Sequence, residues 1–79
     1  MSPAGKAQSV HNRVGEVRMV CGLTQERLAQ AVEVTRQSII AIEKGRFTPS
    51  IYTALKLAQA LQTRVDDLFW LSESEKEQK

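Results

Sequence analysis

The feature that most constrains this chain is a pair of short helical segments with almost nothing between them. The segments are "TQERLAQAV", residues 24–32, and "TRQSIIAIEK", residues 35–44, and only "EV" separates them. Each segment begins with a threonine, a residue favoured at the N-cap of a helix. Two helices joined by so tight a turn cannot pack antiparallel, so they must cross at a steep angle. The sequence therefore predicts a helix-turn-helix over about residues 24–44.

Apolar spacing and capping residues predict three more helices around this pair. The face of the first helix carries apolar residues at intervals of four, three and four, namely Val10, Val14, Val17 and Cys21. Gly22 is a typical helix stop. Ser50 caps a fourth helix, whose predicted inner face is Ile51, Ala54, Leu55, Ala58 and Leu61. "RVDDLF" predicts a final helical turn, and the apolar "FWLS" after it favours an extended segment.

The length of 79 residues allows one small domain. We expect an all-α, five-helix domain over residues 10–71, with a flexible arm at 1–9 and a disordered charged tail at 72–79. Both ends are polar and lack apolar anchors, which is typical of disorder. Burial is limited at this size, so dimerisation is a plausible source of further stability.

Several classes of protein are disfavoured by composition. A single cysteine excludes an internal disulfide, and no apolar run approaches the ~18 residues of a membrane span. We therefore expect a cytoplasmic protein without a membrane segment. His11 is the sole histidine and is interpreted as a surface residue. Cys21 is interpreted as a small buried hydrophobe, with a redox-sensing thiol as the alternative. Metal-ligand spacings and paired carboxylates are missing, so neither an enzyme nor a cofactor or small-molecule site is expected.

The helix after Thr35 has an unusual outer face. At 100° per residue, Ile39 and Ile42 lie within about 60° of each other and define its buried side. The opposite side carries Gln37, Ile40, Ala41 and Lys44, with Arg36 at its edge. Arginine pairs with guanine, glutamine pairs with adenine, and an aliphatic group packs on a thymine methyl in the DNA major groove. The alternative is an ordinary solvated face, which Ile40 and the scarcity of acids disfavour.

Residues flanking that face suit the DNA backbone. Gln25 lies beside free N–H groups at the start of a helix, which is a favourable place for phosphate. Lys44 and Arg46 lie on the other side, and the alternative for Arg46 is an ordinary loop cation. The predicted phosphate contacts are Thr24, Gln25, Thr35, Ser38, Lys44 and Arg46. Arg18 and Glu43 each flank an apolar stripe, and we expect them to form a partly buried ion pair of structural role.

The stretch "LTQERLAQAVEVTRQSIIAIEKGRFTPSIYTALKLAQAL", followed by "VDDLF", resembles the Xre family of helix-turn-helix regulators, of the phage-repressor and Cro type. The resemblance runs from about Asn12 to Phe69. It implies a DNA-binding transcriptional regulator, acting as a homodimer on a two-fold symmetric operator. By the same resemblance Gln25 contacts phosphate, while Arg36, Gln37 and Ala41 read bases with Ile40 beside them. Arg18 and Glu43 match the buried ion pair of the family.

Four positions depart from the family pattern. Glu33 and Gln62 stand where the family usually has glycine, which predicts left-handed backbone at both residues. Met19 and Val20 stand where the family is usually charged, and Met19 projects away from the core face of its helix. It is either an exposed apolar residue or covered by the N-terminal arm.

Phe69, Trp70 and Leu71 form the predicted dimer interface, because surplus apolar surface on a tiny domain usually marks a contact. The alternative for Leu68 and Phe69 is closure of the monomer core. The leading functional hypothesis is a nucleoid-associated repressor that binds an operator as a homodimer. The second hypothesis is an antitoxin-like adaptor whose main partner is another protein, docked through the tail "SESEKEQK".

Overall fold

The computed structural model describes residues 8–72, which form five short helices and one two-stranded sheet. In chain order these are β1 Val10–Asn12, α1 Val14–Val20, α2 Gln25–Val32, α3 Arg36–Glu43, α4 Ile51–Ala60, α5 Val65–Leu68 and β2 Phe69–Leu71. The predicted five-helix architecture is confirmed, and the predicted extended segment is β2. No helix within residues 8–72 is long and apolar enough to cross a membrane.

The first helix begins four residues later than the apolar spacing predicts. Val10 lies in β1, which pairs antiparallel with β2 in the register Val10↔Leu71, His11↔Trp70 and Asn12↔Phe69. The Asn12 side chain explains the boundary, because its Oδ1 accepts the Val14 N–H at 3.0 Å. Its Nδ2 donates to the Ile42 carbonyl oxygen at 2.8 Å. Asn12 therefore starts α1 and ties it to the end of α3.

The prediction that Cys21 is buried is wrong. Cys21 is the C-cap of α1 and its side chain is exposed, with Sγ 3.8 Å from the Leu61 carbonyl oxygen. Gly22 follows with φ of 76°, a left-handed conformation that glycine adopts without steric cost. The chain leaves the axis of α1 at Gly22, so Cys21 lies at the last position of the helical path.

The turn between α2 and α3 has the predicted form. Thr24 and Thr35 cap the two helices, each accepting a backbone N–H at 3.0 Å. Glu33 is left-handed, with φ of 63°, and the Val34 N–H donates to the Ala29 carbonyl oxygen at 3.0 Å. Ala29 is buried, and Val34 packs against the core from the turn. The small side chain of Ala29 leaves room for the crossing helix.

Replacing Glu33 with glycine should stabilise the domain by about 1 kcal/mol, because a left-handed side-chain residue costs roughly 1–2 kcal/mol. The gain is reduced by the greater freedom of glycine in the unfolded chain. Gln62, with φ of 57°, should respond in the same way. Chemical denaturation measures both, with Gln30→Gly inside α2 as the control that should lose stability. An unchanged denaturation midpoint for Glu33→Gly and Gln62→Gly would contradict backbone strain at these two left-handed residues.

The core lies between all five helices. Its most completely buried large side chains are Leu28, Ile39, Ile42, Leu57, Leu68, Val14 and Val32. In α4 the predicted inner face is partly wrong, because Ala54, Leu57, Ala58 and Leu61 are buried while Ile51 and Leu55 are exposed. Apolar residues occupy so many positions of α4 that their spacing alone does not select one face. The core contacts of α2 and α5 decide it instead.

The sheet closes the domain by joining the two ends of the described chain. Beyond the strand register, the Ser72 N–H donates to the Ser9 carbonyl oxygen at 2.8 Å. The Gln8 Nε2 donates to the Ser72 carbonyl oxygen at 3.2 Å. Ser72 is buried. Residues 1–7 and 73–79 are outside the described part of the chain, and most of the predicted arm and tail falls there.

Candidate nucleic-acid interface

The outer face of α3 follows directly from what its inner face buries. Ile39 and Ile42 are 0% and 1% exposed, so the opposite side of the helix points away from the core. Arg36 and Gln37 occupy the first turn and are exposed, while Ile40 is half-buried. These polar and aliphatic groups are of the kinds that contact base edges in a DNA major groove.

Five side chains line one shallow groove along this outer face, and they are Gln37, Ile40, Ala41, Lys44 and Arg46. We call this set, together with Arg36, the recognition surface. Arg36, Lys44 and Arg46 make no ion pair within residues 8–72. The recognition surface therefore presents three uncompensated positive charges to solvent, which attract a polyanion.

A second groove continues from the recognition surface towards α1. Ile40 and Lys44 line it together with Gln25 and Met19, among other residues. Met19 is 64% exposed in the described part of the chain, so it adds an apolar side chain beside Gln25. Residues 1–7 of the N-terminal arm, the alternative cover for Met19, lie outside the described part of the chain. Sequence reasoning placed Met19 away from the core face but gave no sign of this neighbourhood.

Four of the six predicted phosphate contacts have partners inside the domain. The Thr24 hydroxyl accepts the Arg27 N–H. Thr35 Oγ1 accepts the Ser38 N–H and donates to Ser38 Oγ, both at 3.0 Å. Gln25 Nε2 donates to Glu43 Oε1 at 3.0 Å. The two threonines and Ser38 thus organise the helix starts, and Lys44 and Arg46 remain the long, unpaired side chains of the set.

The ion pair expected between Arg18 and Glu43 is present and mostly buried. Arg18 Nε lies 2.7 Å from Glu43 Oε2, and the two side chains are 13% and 12% exposed. Arg18 Nη1 also donates to the Leu23 carbonyl oxygen at 2.8 Å. With Gln25 on its other oxygen, Glu43 joins α1, the start of α2 and the end of α3. This network fixes the orientation of the recognition surface against the rest of the domain.

The segment predicted as the dimer interface is engaged within the chain. Phe69 packs partly against the core, and β2 is hydrogen-bonded to β1. The guanidinium carbon of Arg13 lies over the Trp70 ring, 5.0 Å from the ring centroid. The centroids of the Trp70 and His11 rings are 6.2 Å apart. Leu71 is 53% exposed. The strand that covers one edge of β2 was missed because Val10 also fits a helical spacing.

No group of three or more His, Cys, Asp and Glu side chains within residues 8–72 is arranged to hold a metal ion.

Comparison with known proteins places this geometry in a family. A sequence model of the helix-turn-helix family matches residues 16–68. The chain is 47% identical over 62 residues to the uncharacterised HTH-type transcriptional regulator YgzD of Bacillus subtilis, covering 78% of this chain and 94% of that protein. It is 51% identical over 61 residues to an uncharacterised HTH-type transcriptional regulator of Methanothermobacter thermautotrophicus, covering 76% and 88%.

Solved structures agree with the sequence relatives. The restriction-modification controller protein C.AhdI from Aeromonas hydrophila is similar with a TM-score of 0.65 and 33% identity, over 68% of this chain and 82% of that chain. The clp gene regulator ClgR from Corynebacterium glutamicum has a TM-score of 0.66 and 28% identity, over 68% and 57%. The chain therefore belongs to the Xre-type helix-turn-helix family of DNA-binding transcriptional regulators.

Proposed function

We propose that this protein is a sequence-specific repressor that binds a two-fold symmetric operator as a homodimer, with α3 in the major groove. The observation that carries the proposal is the recognition surface, which combines three unpaired cations with an amide and two aliphatic side chains on one helix. In helix-turn-helix proteins the second helix of the motif lies in the major groove and its N-terminal residues meet base edges. In the cytoplasm, a dimer bound over a promoter would block access of the transcription machinery and so prevent transcription.

The first two turns of α3 contact the base edges. Arg36 and Gln37 are exposed at the N-terminal end of α3. The guanidinium of Arg36 suits guanine, and the amide of Gln37 suits adenine. Ile40 and Ala41 follow one turn later and present apolar surface of the kind that packs on a thymine methyl. The buried Ile39 and Ile42 hold this register, since a rotation of α3 would expose them.

Phosphate contacts position the helix and supply most of the affinity. Lys44 and Arg46 lie at the far end of the recognition surface, where each can reach a phosphate oxygen. At the near end the capped starts of α2 and α3 present backbone N–H groups. Thr24 and Thr35 contribute there by capping the two helices, and Ser38 is held in place by Thr35. Gln25 is oriented by its hydrogen bond to Glu43.

Arg36→Ala and Gln37→Ala should each cost about 1–3 kcal/mol in binding to the preferred duplex and relax specificity at one base pair. Lys44→Ala should weaken binding to all duplexes alike and reduce the salt slope by about one charge. The preferred duplex comes from selection out of a random DNA pool at near-physiological salt. Fluorescence anisotropy against that duplex and its single-base variants then separates the two kinds of residue.

Equal losses on every duplex for all three variants would contradict the base-reading assignment. The same selection tests the symmetry of the operator. An enriched palindrome with half-sites about ten base pairs apart supports the dimeric arrangement. Enrichment of no sequence, with binding that disappears as salt rises, would leave only non-specific attraction to DNA.

A further inference from the structure

The first half of α4 and the loop before it carry a concentrated patch of exposed apolar side chains. Phe47 is 51% exposed, Ile51 is 77%, Tyr52 is 63% and Leu55 is 54%. Ile51 and Leu55 are four residues apart in α4, so they lie on the same side of the helix axis, while Tyr52 is next to Ile51 and Phe47 belongs to the preceding loop. We call these four residues the α4 face.

The α4 face is additional to what the monomer needs. The same helix already buries Ala54, Leu57, Ala58 and Leu61 in the core. A surface helix of a globular protein normally has one apolar stripe and a polar opposite side. A helix with apolar residues on both sides has a second surface to cover, and large exposed patches usually mark interaction sites.

The scarcity of charged residues around the α4 face limits the kind of surface that could cover it. Between Phe47 and Thr63 the only charged residue is Lys56, although a quarter of the whole chain is charged. The Lys56 ammonium lies 5.9 Å from the centroid of the Tyr52 ring. In a two-fold interface the same surface of each copy meets, so charges of one sign on that surface would face and repel each other. An almost uncharged surface avoids that repulsion.

The ends of this chain do not suit the patch. Residues 1–7 and 73–79 contain Met1 as their only large apolar side chain, and five of the last seven residues are glutamate or lysine. Such segments supply too few large apolar side chains to cover the surface around Ile51 and Leu55. The occupant therefore has to bring an apolar surface of comparable size.

We propose that two copies of this protein pair through the α4 face. The four side chains offer on the order of 400 Å² per copy, because a large side chain buries roughly 150–250 Å² when fully covered. About 800 Å² in total is below the ~1,200 Å² of a standard stable interface. The pairing is therefore weak in free solution, and two adjacent half-sites on one duplex strengthen it by raising the effective concentration.

This pairing rests on the proposed function only for its alignment with a two-fold operator. It is an alternative to the dimer interface predicted at β2. There Phe69 and Trp70 already have partners within the chain, namely the core, Arg13 and His11. Leu71 is left as the one free large apolar side chain of that strand, against four on the α4 face.

Two exposed leucines provide a matched test, because Leu55 is 54% and Leu71 is 53% exposed. Sedimentation equilibrium from about 1 µM to about 1 mM covers the range of a weak dimer. We expect Leu55→Lys to raise the dimer Kd by at least about tenfold, as a central apolar contact does. Leu71→Lys should change it by less than about twofold. Ile51→Lys is the second variant on the α4 face, and circular dichroism verifies the fold of all three.

A larger loss for Leu71→Lys than for Leu55→Lys would overturn the proposal, as would a wild-type protein that stays monomeric throughout this range. Duplexes with one and with two half-sites separate this result from the proposed function. Leu55→Lys should bind a single half-site as the wild type does and lose cooperative binding to two. Wild-type protein that pairs through Leu55 but selects no DNA sequence would contradict the repressor while leaving the pairing intact.

Discussion

Replacing Arg18 with methionine should lower the free energy of unfolding by about 3 kcal/mol, the lower end of the range for breaking a buried ion pair. The loss arises because Glu43 stays largely buried with its negative charge and keeps only Gln25 as a side-chain donor. Methionine preserves most of the apolar volume of the arginine stem, so the loss reports on charge and hydrogen bonding. Urea denaturation monitored by circular dichroism measures it.

The double variant Arg18→Met, Glu43→Met should recover much of that loss, because neither charge is then stranded. Arg64→Met is the matched control at an exposed pair. Arg64 Nε lies 3.2 Å from Asp66 Oδ1, with side chains 75% and 68% exposed. Its hydrogen bond lowers the pKa of Asp66, but solvent screens the pair and the denaturation midpoint should not move. Equal effects of Arg18→Met and Arg64→Met would contradict the structural role of Glu43.

Replacing Ile39 with alanine should cost about 3 kcal/mol of stability, within the range for isoleucine-to-alanine changes in a core. Ile39 is 0% exposed and belongs to the side of α3 that anchors the recognition surface. Truncation leaves a cavity behind the helix that the small, close-packed domain cannot fill by relaxation. Thermal and urea denaturation give the size of the loss.

Ile40→Ala is the adjacent control with the same chemistry and the opposite location. Ile40 is half-buried and lines the groove of the recognition surface. Its truncation should cost less than about 1 kcal/mol of stability. Affinity for the preferred duplex should fall instead, measured by anisotropy at fixed salt. A greater loss of stability for Ile40→Ala than for Ile39→Ala would mean that α3 is rotated from the orientation described.

The helix-turn-helix was predictable because its determinants are local. Thr24, Thr35 and the left-handed Glu33 act on their immediate neighbours in the chain, and a helical projection is sufficient to separate Ile39 from Ile40. Arg18 and Glu43 could be paired because each lies beside an apolar stripe. The roles of Arg36 and Gln37 in reading bases remain predictions, since they depend on a duplex.

The errors occurred where contacts distant in sequence decide the structure. Val10 suits a helix or a strand, and pairing with Leu71 selects the strand. Leu55 and Leu57 are both apolar, and only the positions of α2 and α5 determine which one is buried. Asn12 gave no sequence signal of its role, because its acceptor on Ile42 lies thirty residues away.

The sheet brings Ser9 and Ser72 within one hydrogen bond of each other, so the described chain leaves the domain where it enters. Two domains could therefore be connected as one polypeptide without a linker that crosses either of them. The linker would need to span only the separation between the two sheets. A glycine- and serine-rich linker of matching length would then produce a single-chain dimer, whose binding would no longer depend on protein concentration for pairing.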